Sequence, residues 1–582
     1  MATEKLLQEF PPVSTASWEE LIRKDLKGAD YARKLIWQSE EGLAVKPYYR
    51  AEDAEGLDYC DAAPGDFPYA RGARPSGDWR IREEIEGATP EEANREACAA
   101  AAAGAEEIAF RHVELQSATD VETLVANLQQ IPVHFQNADE PLIRLLLESS
   151  HDGHALSLIS TGWNPLKHLD FAAEVLQAAP PSFASFTING EGFEESGATC
   201  VEEVGFTLAA GVEFFGGMQS REIDVDRAAA SIGFSFSTGA SFFFQIAKLR
   251  AFRLLWARVV ESFGGARSSA RARIHARTSR WSKTVYDPHV NILRGTTEAM
   301  SAAFGGADSI TVAPFDDCYK KPDEASRRLA RNTQILLKHE AMLGRVADPG
   351  AGAYLIEAMT EFLAREGWKT MQEIEAAGGF RKAEAEGLIA RTLSQSLAAR
   401  EEAVASRRRV FTGTNQYASL SENAWERIDA ARVHEGTRAT QAYEALRLRT
   451  ERHAIRTGSR PRVLLAEMGD AKMRSARAGF AANFFACAGF GISTELLSNA
   501  NEIAARDADL IVLCSSDAEY LALAEQVQSA LHACGRETPI LIAGNPESAE
   551  QLQAMGIADF IHLRSNPIEV LARWQQRLGI KE

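Results

Sequence analysis

FFFQIAKLRAFRLLWARVVESFGGARSSARARIHART, residues 242–278, carries the architectural signature of the chain. In its first half, apolar residues recur at Phe242, Ile246, Leu249, Phe252, Leu255 and Val259, a spacing that places them on one helical face. A Gly-Gly turn follows, and residues 271–277 then read as a short β-rich run. Helix, turn and strand of such lengths are the repeating part of a parallel sheet with helical crossovers.

The same alternation extends over residues 105–315, with β-rich runs at 107–112, 131–136, 155–161, 183–189 and 309–314. Parallel strands joined by helices form either a barrel or an open doubly wound sheet, and periodicity alone does not choose. Residues 400–460 are strongly charged and mostly helical in pattern, with arginines at 407–409. Acidic residues are interspersed, so this reads as a connecting segment rather than a basic binding patch. Runs at 463–468, 510–514, 540–543 and 560–563 then begin a second α/β pattern, the layout of a small doubly wound domain of flavodoxin type. At the other end, a capping box from Ser17 to Glu20 opens a short amphipathic helix through Leu26. The arm that follows, through Leu35, Trp37, Val45, Pro47 and Tyr48, is expected to pack on the chain's own body or on a partner subunit.

Composition limits the function. At 582 residues, two or more packed units are expected. Hydrophobic residues are 45% and charged residues 25%, the balance of a globular protein with a full core. The net charge of -18 argues against nucleic acid as a partner, since that binding needs basic patches. Seven cysteines without a CxxC pair suit reduced cytoplasmic thiols better than disulfides or zinc. The N-terminal MATEKLLQEF lacks the apolar core of a secretory signal. The most apolar stretch, 234–260, is broken by Lys248, Arg250, Arg253 and Arg258, whereas a membrane span needs about 20 nearly uninterrupted apolar residues. The expectation is a soluble cytoplasmic protein.

Several segments together resemble one family. FFFQIAKLRAFRLLWARVV (242–260), IHARTSRWSKT (274–284), ADPGAGAYLIEAMT (347–360) and FTGTNQY (411–417) are similar to signature segments of methylmalonyl-CoA mutases. WEELIRKDLKGAD (18–30) and LIWQSEEGLAVKPYY (35–49) resemble the small-subunit branch. The resemblance covers essentially the whole chain in one order. It implies an α/β chain with a (β/α)8 TIM barrel that holds acyl-CoA, followed by a flavodoxin-like, doubly wound domain of the cobalamin-binding type. The corresponding units are an N-terminal arm over 1–50, the barrel over 51–400, a helical linker over 401–460 and the cobalamin-type domain over 461–582. The implied reaction is an isomerisation between (R)-methylmalonyl-CoA and succinyl-CoA, in which adenosylcobalamin performs the difficult step.

The family's site residues can be followed onto this chain. Catalytic members bind cobalt through the His of a DxHxxG loop; here that loop reads EMGDAKMRSARAGF, 467–480. With Asp470 as its start, Lys472 takes the His position and Ser475 the Gly position, while Glu467 stands where the family has Lys. A lysine ammonium has no lone pair to offer cobalt. The family's Ser-Ser-Leu turn reads Ser515, Ser516, Asp517. In the barrel, the Tyr-His pair of SGYHMQEAGAT becomes Glu191 and Gly192 within NGEGFEESGAT, and the Tyr of RQYAG becomes Glu84 within REEIE. Glycine cannot polarise a thioester carbonyl as histidine does. A glutamate at each former Tyr opposes the negative charges of the substrate. His275 and Ser279 remain and are expected to serve barrel packing. DGHALS, 152–157, partly matches the cobalamin loop, but it follows a helical run and precedes a strand, the wrong context for that motif.

The resemblance therefore implies a non-catalytic subunit, with no catalytic, cofactor-binding or metal-ligating residues of its own. Adenosylcobalamin would belong to the holoenzyme, on the catalytic large subunit of a heterodimer. Two other readings are a stand-alone acyl-CoA isomerase with altered cobalt coordination, and a mutase chaperone or adaptor. The chain has no GxxxxGK[ST] loop to support nucleotide use in the latter.

Overall fold

A computed structural model describes residues 13–128, 130–136, 138–149, 159–161, 164–179 and 186–580. An antiparallel hairpin, β1 (Trp37–Gln38) and β2 (Ala44–Val45), precedes the first large sheet. That sheet contains β3 (Arg80–Glu86), β4 (Glu107–Arg111), β5 (Val133–Phe135), β6 (Ile159–Thr161), β7 (Phe186–Asn189), β8 (Ile232–Thr238), β9 (Ile274–Thr278) and β10 (Ser309–Thr311). Every ladder is parallel, and the order is β6-β5-β4-β3-β10-β9-β8-β7. The last strand thus lies beside the first, with Ile310 opposite Ile81. The sheet curls round on itself, and the break in the ladder falls between β6 and β7.

Pleating explains how β3, sequence RIREEIE, survives with so many charges. Ile81 and Ile85 face the surrounding helices, 2% and 1% exposed, together with Glu83, which meets Arg331 of helix Glu324–Ile335 at 2.5 Å. Arg82 and Glu84 face inward, where each is paired. Helices Cys200–Gln219, Phe242–Ser262 and Tyr354–Ala376 wrap the outside, and the first two carry buried ion pairs into it. Lys248 and Glu203 meet at 2.5 Å, and Arg250 reaches Glu357 at 2.5 Å.

The second sheet contains β11 (Arg462–Glu467), β12 (Gly491–Leu496), β13 (Leu510–Cys514), β14 (Ile540–Ala543) and β15 (Asp559–Ile561). It is parallel throughout, in the order β12-β11-β13-β14-β15, the doubly wound order found in flavodoxins. Trp281, from the loop after β9, is 1% exposed and belongs to this unit's core, with Phe411, Tyr443 and Phe484. Among the described residues no helix is long and apolar enough to cross a membrane.

Several sequence expectations need correction. The sequence pattern does not mark strands β3, β8 and β12. β3 looks charged; β8 and the helix Phe242–Ser262 merge into one apolar stretch; β12 is a polar edge strand, GISTEL, with little buried. The run 271–277 begins as a strand only at Ile274, because Arg267–Ala270 forms a 3-10 turn before it. The first helix is capped by Ser14, whose hydroxyl accepts from Ser17 N–H, so it starts earlier than a Ser17 capping box requires. The segment 401–460 is not helical throughout. Between helices Leu388–Ala405 and Gln441–Thr457 the chain is irregular apart from Ala430–Val433, because Phe411, Asn415 and Ala424 are buried as packed loop. The DGHALS segment, 152–157, lies outside the described residues.

Candidate functional site

Inward faces of barrel-like sheets normally carry bulky branched apolar residues. Here they carry ionisable and hydroxyl groups around a 490 Å³ cavity along the sheet's axis. Arg74, Arg80 and Arg273 line its end at the strand N-termini, and Glu191, Glu195 and Arg280 its end at the C-termini. Midway, Arg82 pairs with Glu107 at 2.9 Å, and His275 Nδ1 shares a 2.9 Å hydrogen bond with Ser309 Oγ. Burial and the neighbouring Arg82 hold His275 well below the usual histidine range, so it is neutral.

Arg277 occupies the centre of the C-terminal end. Its Nε donates to Glu84 Oε1 at 2.9 Å and its Nη2 to Glu84 Oε2 at 3.1 Å. Arg111 Nη1 donates to Glu84 Oε2 at 3.1 Å and Gln136 Nε2 to Oε1 at 2.9 Å. Glu84 is therefore saturated by donors from three other strand ends. Burial alone would raise its pKa, but the guanidiniums of Arg277 and Arg111 hold it well below the carboxylate range. Glu191 Oε1 lies 3.6 Å from the same Arg277 Nε. Its environment acts the other way: burial pushes it up to about 8, and Arg277 only partly offsets that. Glu84 and Glu191 thus converge on one arginine.

The connecting segment closes this end. Arg432, from helix Ala430–Val433, contacts Glu86 at 2.5 Å and Asp317 at 3.3 Å; Asp317 also accepts from Arg277 at 3.3 Å. Gly192 has no side chain to offer; its N–H donates to Asn189 Oδ1 at 3.0 Å. Ser279 donates to Glu194 at 3.1 Å, and Glu194 in turn accepts from Arg400 at 3.1 Å, which ties the loop after β9 to helix Leu388–Ala405.

The loop after β11 is far from these groups in sequence and differs in character. Asp470 caps helix Ala471–Ala486 by accepting from Met473 N–H at 2.8 Å. Lys472 and Ser475 are exposed, and Glu467 lies 3.9 Å from Arg474. The loop does not bring these residues together around a common point.

The family model for methylmalonyl-CoA mutase matches residues 38–122 and 164–479. The chain belongs to the methylmalonyl-CoA mutase family. Among its relatives, a methylmalonyl-CoA mutase small subunit from Porphyromonas gingivalis is 35% identical, covering 99% of each chain. A second small subunit of that name, from Streptomyces virginiae, is 33% identical over 99% of this chain and 98% of the relative. A methylmalonyl-CoA mutase large subunit from Streptomyces virginiae is 30% identical over 76% of this chain and 67% of its own length.

Methylmalonyl-CoA mutases as a family are generally dependent on adenosylcobalamin. The donor set after β11 does not fit a cobalt held by imidazole. Lys472 is exposed, Asp470 is committed to its helix, and no histidine occurs between His453 and His532. At the mouth of the first sheet, the mutase motifs taken one by one do not point to Arg111, Gln136, Arg277, Asp317 and Arg432. Arg277 sits inside IHARTS itself. A signal was available: charges at alternate positions of a strand flanked by isoleucines require partners on the sheet's inner face.

Proposed function

We propose that this chain is the small, non-catalytic subunit of an adenosylcobalamin-dependent methylmalonyl-CoA mutase. Its partner would be a catalytic large subunit that holds the cofactor and interconverts (R)-methylmalonyl-CoA and succinyl-CoA. The observation that carries this reading is the convergence of Glu84 and Glu191 on Arg277. Where catalytic relatives keep a Tyr-His pair and a second Tyr, this chain has an ion-paired Glu84, a Glu191 turned toward the same arginine, and a glycine. The glycine cannot polarise a thioester carbonyl, and the Glu84 carboxylate, held by two guanidiniums, has no proton to donate to one. The strand order supports completion of a (β/α)8 barrel between β6 and β7, with the second sheet as a degenerate cobalamin-type domain.

The N-terminal arm would supply part of the subunit contact. Helix Thr15–Asp25 buries no side chain, and Val13, Trp18, Leu21 and Trp37 are 58%, 43%, 56% and 54% exposed. Tyr48 stacks on Trp18 at 4.5 Å, so the arm carries its own aromatic scaffold. Obligate interfaces of this kind commonly bury about 2,000 Å² or more.

The test is an absorbance titration of the isolated chain with adenosylcobalamin, alongside co-purification with a large subunit. No spectral shift, with stable one-to-one co-purification, is the expected result. Saturable binding and turnover by the isolated chain would make it a stand-alone isomerase; transient association would make it an adaptor. Removing residues 1–36 is expected to weaken co-purification while leaving the melting temperature of the isolated chain nearly unchanged.

A further inference from the structure

Open doubly wound sheets bind their ligands outside the carboxyl ends of the strands, where the strand order reverses. In the second sheet that point lies between β11 and β13, flanked by the loops that follow them. Both loops converge on a single side chain, Glu519. One oxygen of its carboxylate, Oε2, accepts from Asp470 N–H at 3.1 Å on the β11 loop. The same oxygen accepts from Ser516 N–H at 3.2 Å and from the hydroxyls of Ser515 and Ser516 at 2.6 Å each, on the β13 loop. Gly469 makes the approach possible: at φ +72° it has a left-handed backbone, and an added Cβ would lie 2.6 Å from Glu519 Cδ. The hydroxyls of Ser515 and Ser516, then the Asp470 N–H, pull the Glu519 carboxyl down to about 2, so it is an anion throughout the physiological range.

We propose that the Glu519 carboxylate closes the ligand crevice of the second sheet as a built-in occupant, clamping the loops after β11 and β13 together in place of a bound ligand. Four donors that could serve a ligand's oxyanion are already spent on the chain's own carboxylate. Loss of the histidine at the position of Lys472 is then one of two barriers to cofactor binding, and Glu519 is the second. The inference rests on the reading of this domain as one that holds no cofactor, and it supplies the reason the domain keeps its shape without one.

Hydrogen exchange on the full chain, read by mass spectrometry, separates a clamp across two loops from a local helix cap. In Glu519→Ala, exchange is expected to rise roughly ten-fold or more in both loops, 468–472 and 515–519, the effect of losing hydrogen bonds to a charged acceptor. Loops 544–548 and 562–566, at the far strands of the same sheet, should not change. Acetate in excess supplies the missing carboxylate and should restore protection in the Ala variant while leaving the wild type unaffected. A rise confined to 515–519, or no recovery with acetate, would overturn the clamp. If the Ala variant does not fold, Glu519→Gln carries the test, with the same two-loop pattern and a smaller rise. Cofactor binding by the wild-type chain, measured by absorbance, tests the non-catalytic reading, so failure of that reading is distinguishable from failure of the clamp.

Discussion

The mouth of the first sheet and the crevice of the second stand at equivalent places in their folds, at the carboxyl ends of parallel strands, and they are filled in opposite ways. At the barrel-like mouth, Glu84, Glu86, Glu191 and Asp317 interlock with Arg111, Arg277 and Arg432, drawn from strand ends and the connecting segment. In the second sheet one carboxylate satisfies two loops. A lattice with many contributors is stiff, and breaking one member leaves other charges buried without partners. A single clamp is local, and removing it frees two loops while the sheet beneath stays intact. Filling by many residues is therefore bound to stability, and filling by one residue is nearly separable from it.

Breaking the lattice at its centre should give the largest effect. Arg277→Met leaves Glu84 with only Arg111 and Gln136, and strips Glu191 and Asp317 of a partner. A loss of ~3–5 kcal/mol in unfolding free energy is expected, read from the urea midpoint. A loss below about 1 kcal/mol would mean that the mouth relaxes freely and the contrast with the crevice is false.

The two buried glutamates sharpen the comparison through pH. Glu191 is raised to about 8, against an unfolded value of ~4.3, so the folded state holds its proton where the unfolded state has released it. Stability should therefore fall as pH rises from about 5 to about 8, by at most ~1.4 kcal/mol per unit. Glu84 has the opposite sign: its depressed pKa contributes stability above the unfolded value that is lost in acid. Glu191→Gln should flatten the slope between pH 6 and 8. An unchanged slope would assign the proton to another group, with Glu195 the first to examine.

Arg432 lies at the rim of the mouth, with its side chain 12% exposed. Arg432→Ala should cost ~1–2 kcal/mol and raise hydrogen exchange across 430–436, because the connecting segment loses its hold on Glu86 and Asp317. The smallest global effect is expected for Glu519→Ala, within about 1 kcal/mol by denaturant, in the range of a lost helix cap. A larger loss, with exchange rising across the whole second sheet, would show that the crevice is as deeply tied to stability as the mouth.

Much of the fold was legible where local pattern and tertiary environment agree. Helix Phe242–Ser262 announces itself by an apolar face, and β13 and β14 by uninterrupted apolar runs with both faces covered. β3 was not legible, because RIREEIE looks like a solvated segment until its inward charges meet partners from β4 and β9 and its outward Glu83 meets helix Glu324–Ile335. β12 was missed for the opposite reason: an edge strand needs little apolar surface, so little is written into it. The resemblance alone implies that Glu84, Glu191, Gly192 and Lys472 replace the family's tyrosines and histidines, and the fold adds which groups each of them meets.

Sequence by itself determined the family, the two-sheet α/β plan and which side chain stands at each position. Tertiary structure alone decided what those side chains do. Glu84 meets Arg277 across 193 positions, and Glu519 meets Asp470 across 49. A carboxylate reads the same in sequence whether it faces water or two guanidiniums. Its charge state and its energy are set by burial and by the donors that the fold brings to it.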